Sequence, residues 1–523
     1  MSKPLLVLAL AALFVLGLLP VVAMTSGMSF EALASLFDAR TMALLGRTLG
    51  LGLGAASIAL LFGLPFGFLV ARTNMPGAAL LRPIGAVPLF LPSLFLAIAW
   101  APLVELRGGL AATLVLGFST FPLVALFSAR AFERVDAAKE EAALLIGGLK
   151  AVLRMELPLV LPSAFAGASV AFAFAVNDFA TPDYVSSVGP KFNVYADEIF
   201  ANWNLVKNPS RALVTALPLI ALTLFTLIPA LGLRRKDSLA TLDSGFRKPG
   251  TLDLGSLRIP ALLFALIPLM IGAFVPIGRL LLESAGLPAQ LQLGEGVDLA
   301  AAWATMQSSF SQALERSRAD LANSILYATC AAAIAVPIGL VLGHAIERAP
   351  RRLGRTLELL CLLPLAFPAI LFGIGAVFVW STPATADLYD SGAMAVMLFA
   401  GRYVAFPVLL LAGAVASLDR RLEESAGLSG AGPASRLFRI VTPELRGSLA
   451  GSFVLVFVFC MRELDSAILV PAANHTAILR VFNGVHFGRD EYVAALALLL
   501  IFAILLPGTL WSLFAKKRLE VMR

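Results

Sequence analysis

The chain has 523 residues, of which 59% are hydrophobic and only 14% charged, with a mean hydropathy of +0.89. A soluble domain usually holds about 45–50% apolar and about 25% charged residues, so the composition excludes an ordinary soluble enzyme and places the chain in a bilayer. The net charge of +7 reads as a product of membrane orientation and not as a nucleic-acid surface.

A helix needs about 20 apolar residues to cross the hydrocarbon core. Roughly twelve such stretches follow one another, near 4–23, 44–71, 83–104, 110–131, 157–180, 211–233, 259–283, 319–346, 357–380, 393–417, 446–471 and 491–514. They are too long and too uniformly apolar for barrel strands, which alternate over about 10 residues. The predicted class is therefore an all-α integral membrane protein of about 12 transmembrane helices. The first run follows Lys3 and ends near Val21-Val22-Ala23, the outline of a signal peptide. It is nearly long enough to span, and it reads as an uncleaved first helix. If the N-terminus is inside, 27 of the 40 Lys and Arg residues fall on the inner side. This bias predicts both termini in the cytoplasm and an even number of spans. Pro88 and Pro92 in the third span, and Pro364 and Pro368 in the ninth, predict kinks that either shape a gate or simply pack. Cys330, Cys361 and Cys460 lie in apolar runs without metal-ligand spacing and read as small core residues.

The chain divides at a polar, breaker-rich linker, 236–258, between a first region 1–235 and a second region 259–523. The regions repeat. Pro88-Leu89-Phe90-Leu91-Pro92 matches Pro364-Leu365-Ala366-Phe367-Pro368, and Phe121-Pro122 matches Phe406-Pro407. The step from Pro122 to Pro158 is 36 residues, as is the step from Pro407 to Pro443. Two parallel six-helix repeats about an axis along the membrane normal are expected.

One polar element occurs in both regions. Glu140-Glu141-Ala142-Ala143 precedes Gly147-Gly148 and Leu157-Pro158, and Glu423-Glu424-Ser425-Ala426 precedes Gly430 and Thr442-Pro443. Each predicts a short helix, a glycine break and a second helix leading into the next span, with Pro158 in the first turn of that span. One such loop alone reads equally as an amphipathic helix resting on the bilayer. Two at matching places read as grips for a two-headed inner-face partner.

Glu-Ala-Ala, a glycine six residues after the glutamate and a closing Leu-Pro resemble the signature loop of bacterial ATP-binding-cassette importer permeases. The second copy keeps the spacing Glu424, Gly430, Ile440 and Pro443 but has Ser425 for Ala and Thr442 for Leu. The first keeps Glu141-Ala142-Ala143 and Gly147, and its Leu157-Pro158 arrives two residues early. Ser119-Thr120-Phe121-Pro122, Asn177-Asp178-Phe179-Ala180-Thr181-Pro182 and Met461-Arg462-Glu463-Leu464-Asp465 resemble the fused permeases of the ferric-iron (Fe3+) transport type, a kind of binding-protein-dependent transport system inner membrane component. The resemblance implies two permease domains, 1–235 and 259–523. It implies a cytoplasmic coupling helix in each, at Glu140, Glu141, Ala142, Ala143 and Gly147 and at Glu423, Glu424, Ala426 and Gly430. It further implies two copies of a cytoplasmic ABC ATPase, a periplasmic solute-binding protein and a location in the bacterial inner membrane.

No Gly-x-x-x-x-Gly-Lys-Ser/Thr phosphate loop is present. ATP and Mg are thus expected on the partner, with no cofactor and no metal held by this chain, which is not itself an enzyme. No nucleophile elbow or catalytic triad spacing appears either, and His344, His475 and His486 are scattered. Ionisable groups inside spans are costly and have a role in the pathway or in a helix–helix pair. The candidates are Asn177, Asp178, Arg402, Arg462, Glu463 and Asp465, with Arg402 or Arg462 facing Glu463 or Asp465 in the pairing reading. Glu463→Gln is expected to impair uptake more than assembly. Ferric iron leads as cargo, with thiamine or another small solute next. A gradient-driven secondary transporter of two six-helix halves is the alternative architecture.

Overall fold

The structure is a computed structural model that describes residues 3–27, 35–104, 107–206, 208–239, 247–293, 297–486, 488 and 490–521. Residues 240–246 of the predicted linker lie outside this set. Among the described residues the chain is helical, and its extended pairing is one bridge between Thr73 and Leu252. Among the described residues eight helices are long and apolar enough to cross a membrane, or up to twelve if each of four bent helix pairs counts as one span.

The bent pairs show what the internal prolines do. Ala78–Phe90 and Ser93–Trp100 meet at 88°, and Arg351–Ala366 and Ala369–Trp380 meet at 93°. A residue before proline is driven out of the helical region, and Leu91 (φ −73°, ψ 136°) and Phe367 (φ −76°, ψ 133°) are both extended. Pro92 and Pro368 thus break the third and ninth apolar runs almost at right angles, where the sequence predicts only kinks. Pro158 also departs from expectation. It lies well inside the helix that follows Gly148, not in its first turn, and such prolines are tolerated where neighbouring helices cover the freed carbonyl.

The chain forms two compact units of discontinuous segments. One comprises Ser35–Glu198 and Leu217–Glu283. Its long helices Ala39–Arg72, Gly108–Phe132 and Ala137–Asn177 pack together. Gly63 and Gly67 make the first contact close: a β-carbon would lie 2.7 Å from the Phe121 carbonyl and 2.6 Å from the Ala125 carbonyl. Small residues four apart are the usual means by which membrane helices approach. Arg258–Leu269 and the wide turn Met270–Phe274 rest on this bundle, with Gly272 against Pro88 and the Phe118 carbonyl.

The other unit comprises Met1–Ala34, Ile199–Ala216 and Ser284–Arg523. Arg318–Arg348 packs on Ala405–Ala416 and Arg446–Met461, and Gly339 and Gly343 repeat the close approach, against Pro407 and Ala412. The N-terminal helix belongs here. Its wide turn Phe14–Leu18 sets Gly17 against Pro364, while the Leu16 carbonyl covers Gly401 and the Pro20 carbonyl covers Gly375. Each unit is therefore completed by a helix from the other side of residues 236–258. Gly401→Leu is expected to dislodge the N-terminal helix at a cost of about 1–3 kcal/mol, as overpacking does. An unchanged denaturation midpoint of the purified variant would refute this seat.

Candidate functional site

The first polar loop starts where Asp136 accepts the Ala138 N–H and so caps the helix. That helix ends at Gly147 and Gly148. Gly148 (φ 60°, ψ −152°) adopts a backbone that residues with a β-carbon avoid. The second loop starts the same way, with Asp419 accepting the Arg421 N–H ahead of the helix Arg420–Leu428. It breaks at Gly430 (φ 85°). Pro433–Arg436, Leu437–Val441 and Thr442–Glu444 then turn by 81° into Arg446–Met461. The two residues by which this loop is longer fall between its glycine break and its proline.

The adjacent glutamates of each loop have different surroundings. Glu140 is buried and bound by Arg72, which is only 1% exposed and also donates to the Phe132 carbonyl at 3.1 Å. Glu141 is exposed and meets the exposed Arg247 at 2.8 Å. In the second loop Glu423 accepts from Arg348 Nε at 2.8 Å and lies 2.7 Å from His344 Nε2. Burial opposes the charged form of Glu423, but the hydrogen bonds from His344 and Arg348 outweigh it and hold the carboxyl below its ordinary range. Glu424 is exposed. Ala142 and Gly147 are exposed, Ala143 is buried, and Ala426 is half-buried.

Arg72 and His344 each stand seven residues after a helix proline, Pro65 and Pro337. The two repeats thus anchor the first glutamate of each pair from the same helical position, one with a guanidinium and the other with an imidazole. Their spacing in the sequence makes all four glutamates look alike. The proline register is the signal that separates them. Exposed apolar side chains sit beside the exposed acids: Leu145 is 89% exposed, Ile146 86% and Leu428 92%.

A strap from the linker lies along the first loop. The Arg247 carbonyl accepts the Ala137 N–H. The Leu252 N–H donates to the Arg72 carbonyl at 2.7 Å, and the Leu252 carbonyl accepts from Asn74 N–H at 3.1 Å. Buried Leu252 clusters with Ala143 and Val152. Asp253 accepts from the Gly255 N–H, Asn74 and Arg258, bonds that lower its carboxyl to about 2.

The candidates inside the apolar runs are distributed between the units. Asn177 donates to the Ala173 carbonyl at 2.8 Å and to Thr223 at 3.1 Å. Asp178 accepts from Ser93 at 2.7 Å and from the Thr181 N–H at 2.9 Å. In the other unit Arg402 donates to the Phe367 carbonyl and lies 3.5 Å from Glu463. Glu463 also accepts from the Tyr403 hydroxyl and from the N–H and hydroxyl of Ser466. Arg462 lies over the Phe459 ring at 5.6 Å. Asp178 and Glu463 each stand 20 residues after the proline of their loop, and each accepts the N–H three residues on. They are equivalent caps of the turn that ends the fifth and eleventh runs. Among the described residues no group of three or more His, Cys, Asp or Glu is placed to hold a metal ion.

Comparison with known proteins gives this architecture a family. Residues 335–519 match the family described as binding-protein-dependent transport system inner membrane component. The molybdenum transport system permease protein ModB of Escherichia coli (strain K12) is 31% identical over 162 residues, 26% of this chain and 71% of that protein. The putrescine transport system permease protein PotI of the same strain is 26% identical over 209 residues, 38% and 73% of the two chains. The Fe(3+)-transport system permease protein FbpB 2 of Haemophilus influenzae is 24% identical over 493 residues, 92% of each chain. An all-helical chain of eight to twelve apolar spans, carrying the paired loops and alignable from end to end with a permease of its own length, belongs to the binding-protein-dependent transport system inner membrane components and is a multi-pass permease of the fused ABC importer type.

Proposed function

We propose that this chain is the membrane subunit of an ATP-driven importer that takes ferric iron from a periplasmic solute-binding protein into the cytoplasm. The alignment with a Fe(3+)-transport permease over 92% of both chains carries the iron reading, because the putrescine and molybdenum permeases align with 38% and 26% of this chain. In this reading the two loops face the cytoplasm, as do both termini, and each loop seats one copy of an ATPase subunit. Glu141 and Glu424 offer exposed charge, and Leu145, Ile146 and Leu428 offer apolar surface for a cleft in that partner. ATP and Mg are bound and used there, not here. Asn177 and Asp178 in one unit, and Arg402, Arg462, Glu463 and Asp465 in the other, brace the spans that they belong to.

The experiment is reconstitution in liposomes with a candidate ATPase subunit and solute-binding protein from the same organism. Radioactive ferric iron is expected to accumulate only with ATP and binding protein, and at least tenfold faster than molybdate, putrescine or thiamine. Faster uptake of one of those would replace iron as cargo. Uptake without any ATPase would replace the coupling reading with a gradient-driven one.

A further inference from the structure

We propose that Arg72 is a positioning residue for coupling, handed between Glu140 and Glu156 as the first loop turns about Gly147 and Gly148. The inference rests on the docking reading above and specifies how the docked loop pulls on its unit.

Three buried charged side chains meet beneath the first loop. Glu140 lies on the loop helix before the glycine break, Glu156 on the helix after it, and Arg72 at the end of the neighbouring helix Ala39–Arg72. Arg72 is bound to Glu140. Glu156 is 0% exposed, neither of its oxygens accepts a hydrogen bond, and the Arg72 Nη2 stands 3.5 Å away. The Arg72 Nε has no acceptor either. A buried carboxylate without a donor is costly, and a guanidinium with a spare N–H beside it is the group that satisfies it. A small swing of the guanidinium fork exchanges one partner for the other.

The two acids lie on opposite sides of a hinge. Gly148 at φ 60° and its neighbour Gly147 absorb rotation that other residues resist. With Arg72 on Glu140 the loop helix is tied to the neighbouring span, and with Arg72 on Glu156 it is free to follow its partner while the helix after the break is held instead. The second loop lacks this choice. The residue two before its proline, matching Glu156, is buried Val441, and Glu423 is held by His344 and Arg348 together. The exchange therefore belongs to the first loop alone.

The test uses the full complex of permease, ATPase and binding protein in nanodiscs. The three native cysteines are replaced by serine, and spin labels are placed on Lys139→Cys, on the loop helix but outside the docking surface, and on Leu80→Cys, both exposed positions of one unit. The parent is expected to show two inter-label distances whose populations change with ATP. Glu156→Gln is expected to keep one distance with or without ATP and to lower uptake at least tenfold, with the ATPase still co-purifying. Glu140→Gln is expected to populate the other distance without ATP. Glu156→Gln switching like the parent, or transporting at the parent's rate, overturns the exchange and leaves docking standing. Failure of the ATPase to co-purify with the parent overturns the docking reading and this one with it.

Discussion

Reversing Glu141 and Glu424 together to Arg is expected to strip the ATPase from the purified permease while insertion and yield stay at the level of the parent. Both side chains are exposed, and surface substitutions of this kind usually change stability by about 0.5 kcal/mol or less. The Arg247–Glu141 pair does not alter that expectation, since both side chains are 59% exposed and exposed pairs contribute little. A partner cleft built to receive two acids meets two cations instead. Weakening of at least about a hundredfold, about 2.8 kcal/mol, should appear in a pull-down titrated with ATPase. Retention of the ATPase at parental affinity would remove the docking role of these residues. The neighbouring positions supply a control. Glu140→Arg places a second cation against buried Arg72, so here the permease itself should fail to accumulate.

The second large effect is expected at the Arg402–Glu463 node. Arg402→Met leaves Glu463 buried without its cation, and breaking a buried pair from one side costs about 3–5 kcal/mol. Replacing both, as Arg402→Met with Glu463→Met, is expected to recover at least half of the loss, because no isolated charge remains. Unfolding of the four species in a detergent series measures the coupling. If the double variant loses the sum of the two single losses, the pair is not a unit. Glu463→Gln, expected from the sequence to affect uptake before assembly, is informative beside it. The carboxylate takes three further hydrogen bonds from Tyr403 and Ser466, so assembly is sensitive as well.

Much of this arrangement is legible in the chain. Long apolar runs without alternation give the helices, because a span must satisfy every backbone group within itself. Asp136 and Gly147-Gly148, and Asp419 and Gly430, mark the loop helices, since caps and breaks depend on local side-chain chemistry. Other features are set by tertiary contact. Nothing local tells a proline that a helix runs through, such as Pro364, from one that breaks it, such as Pro368; what differs is whether the chain on either side packs as one rod. The burial of Glu140 beside exposed Glu141 depends on Arg72, which is 68 residues away. The strap at Leu252 occupies a site built from Ala143 and Val152, and a linker's composition does not record what it lies on. The placement of the N-terminal helix with the later segments is likewise invisible to periodicity.

That placement has a consequence for biosynthesis. The proline that receives Gly17 is Pro364, 347 positions downstream. At elongation rates of about 5–20 residues per second, this helix waits roughly 17–70 s for its groove to be translated. During that interval it is a lone apolar rod with an unfilled face, a substrate for insertase chaperones and for proteolysis. A ribosome that stalls midway leaves a product whose helix Lys3–Leu13 has nowhere to dock.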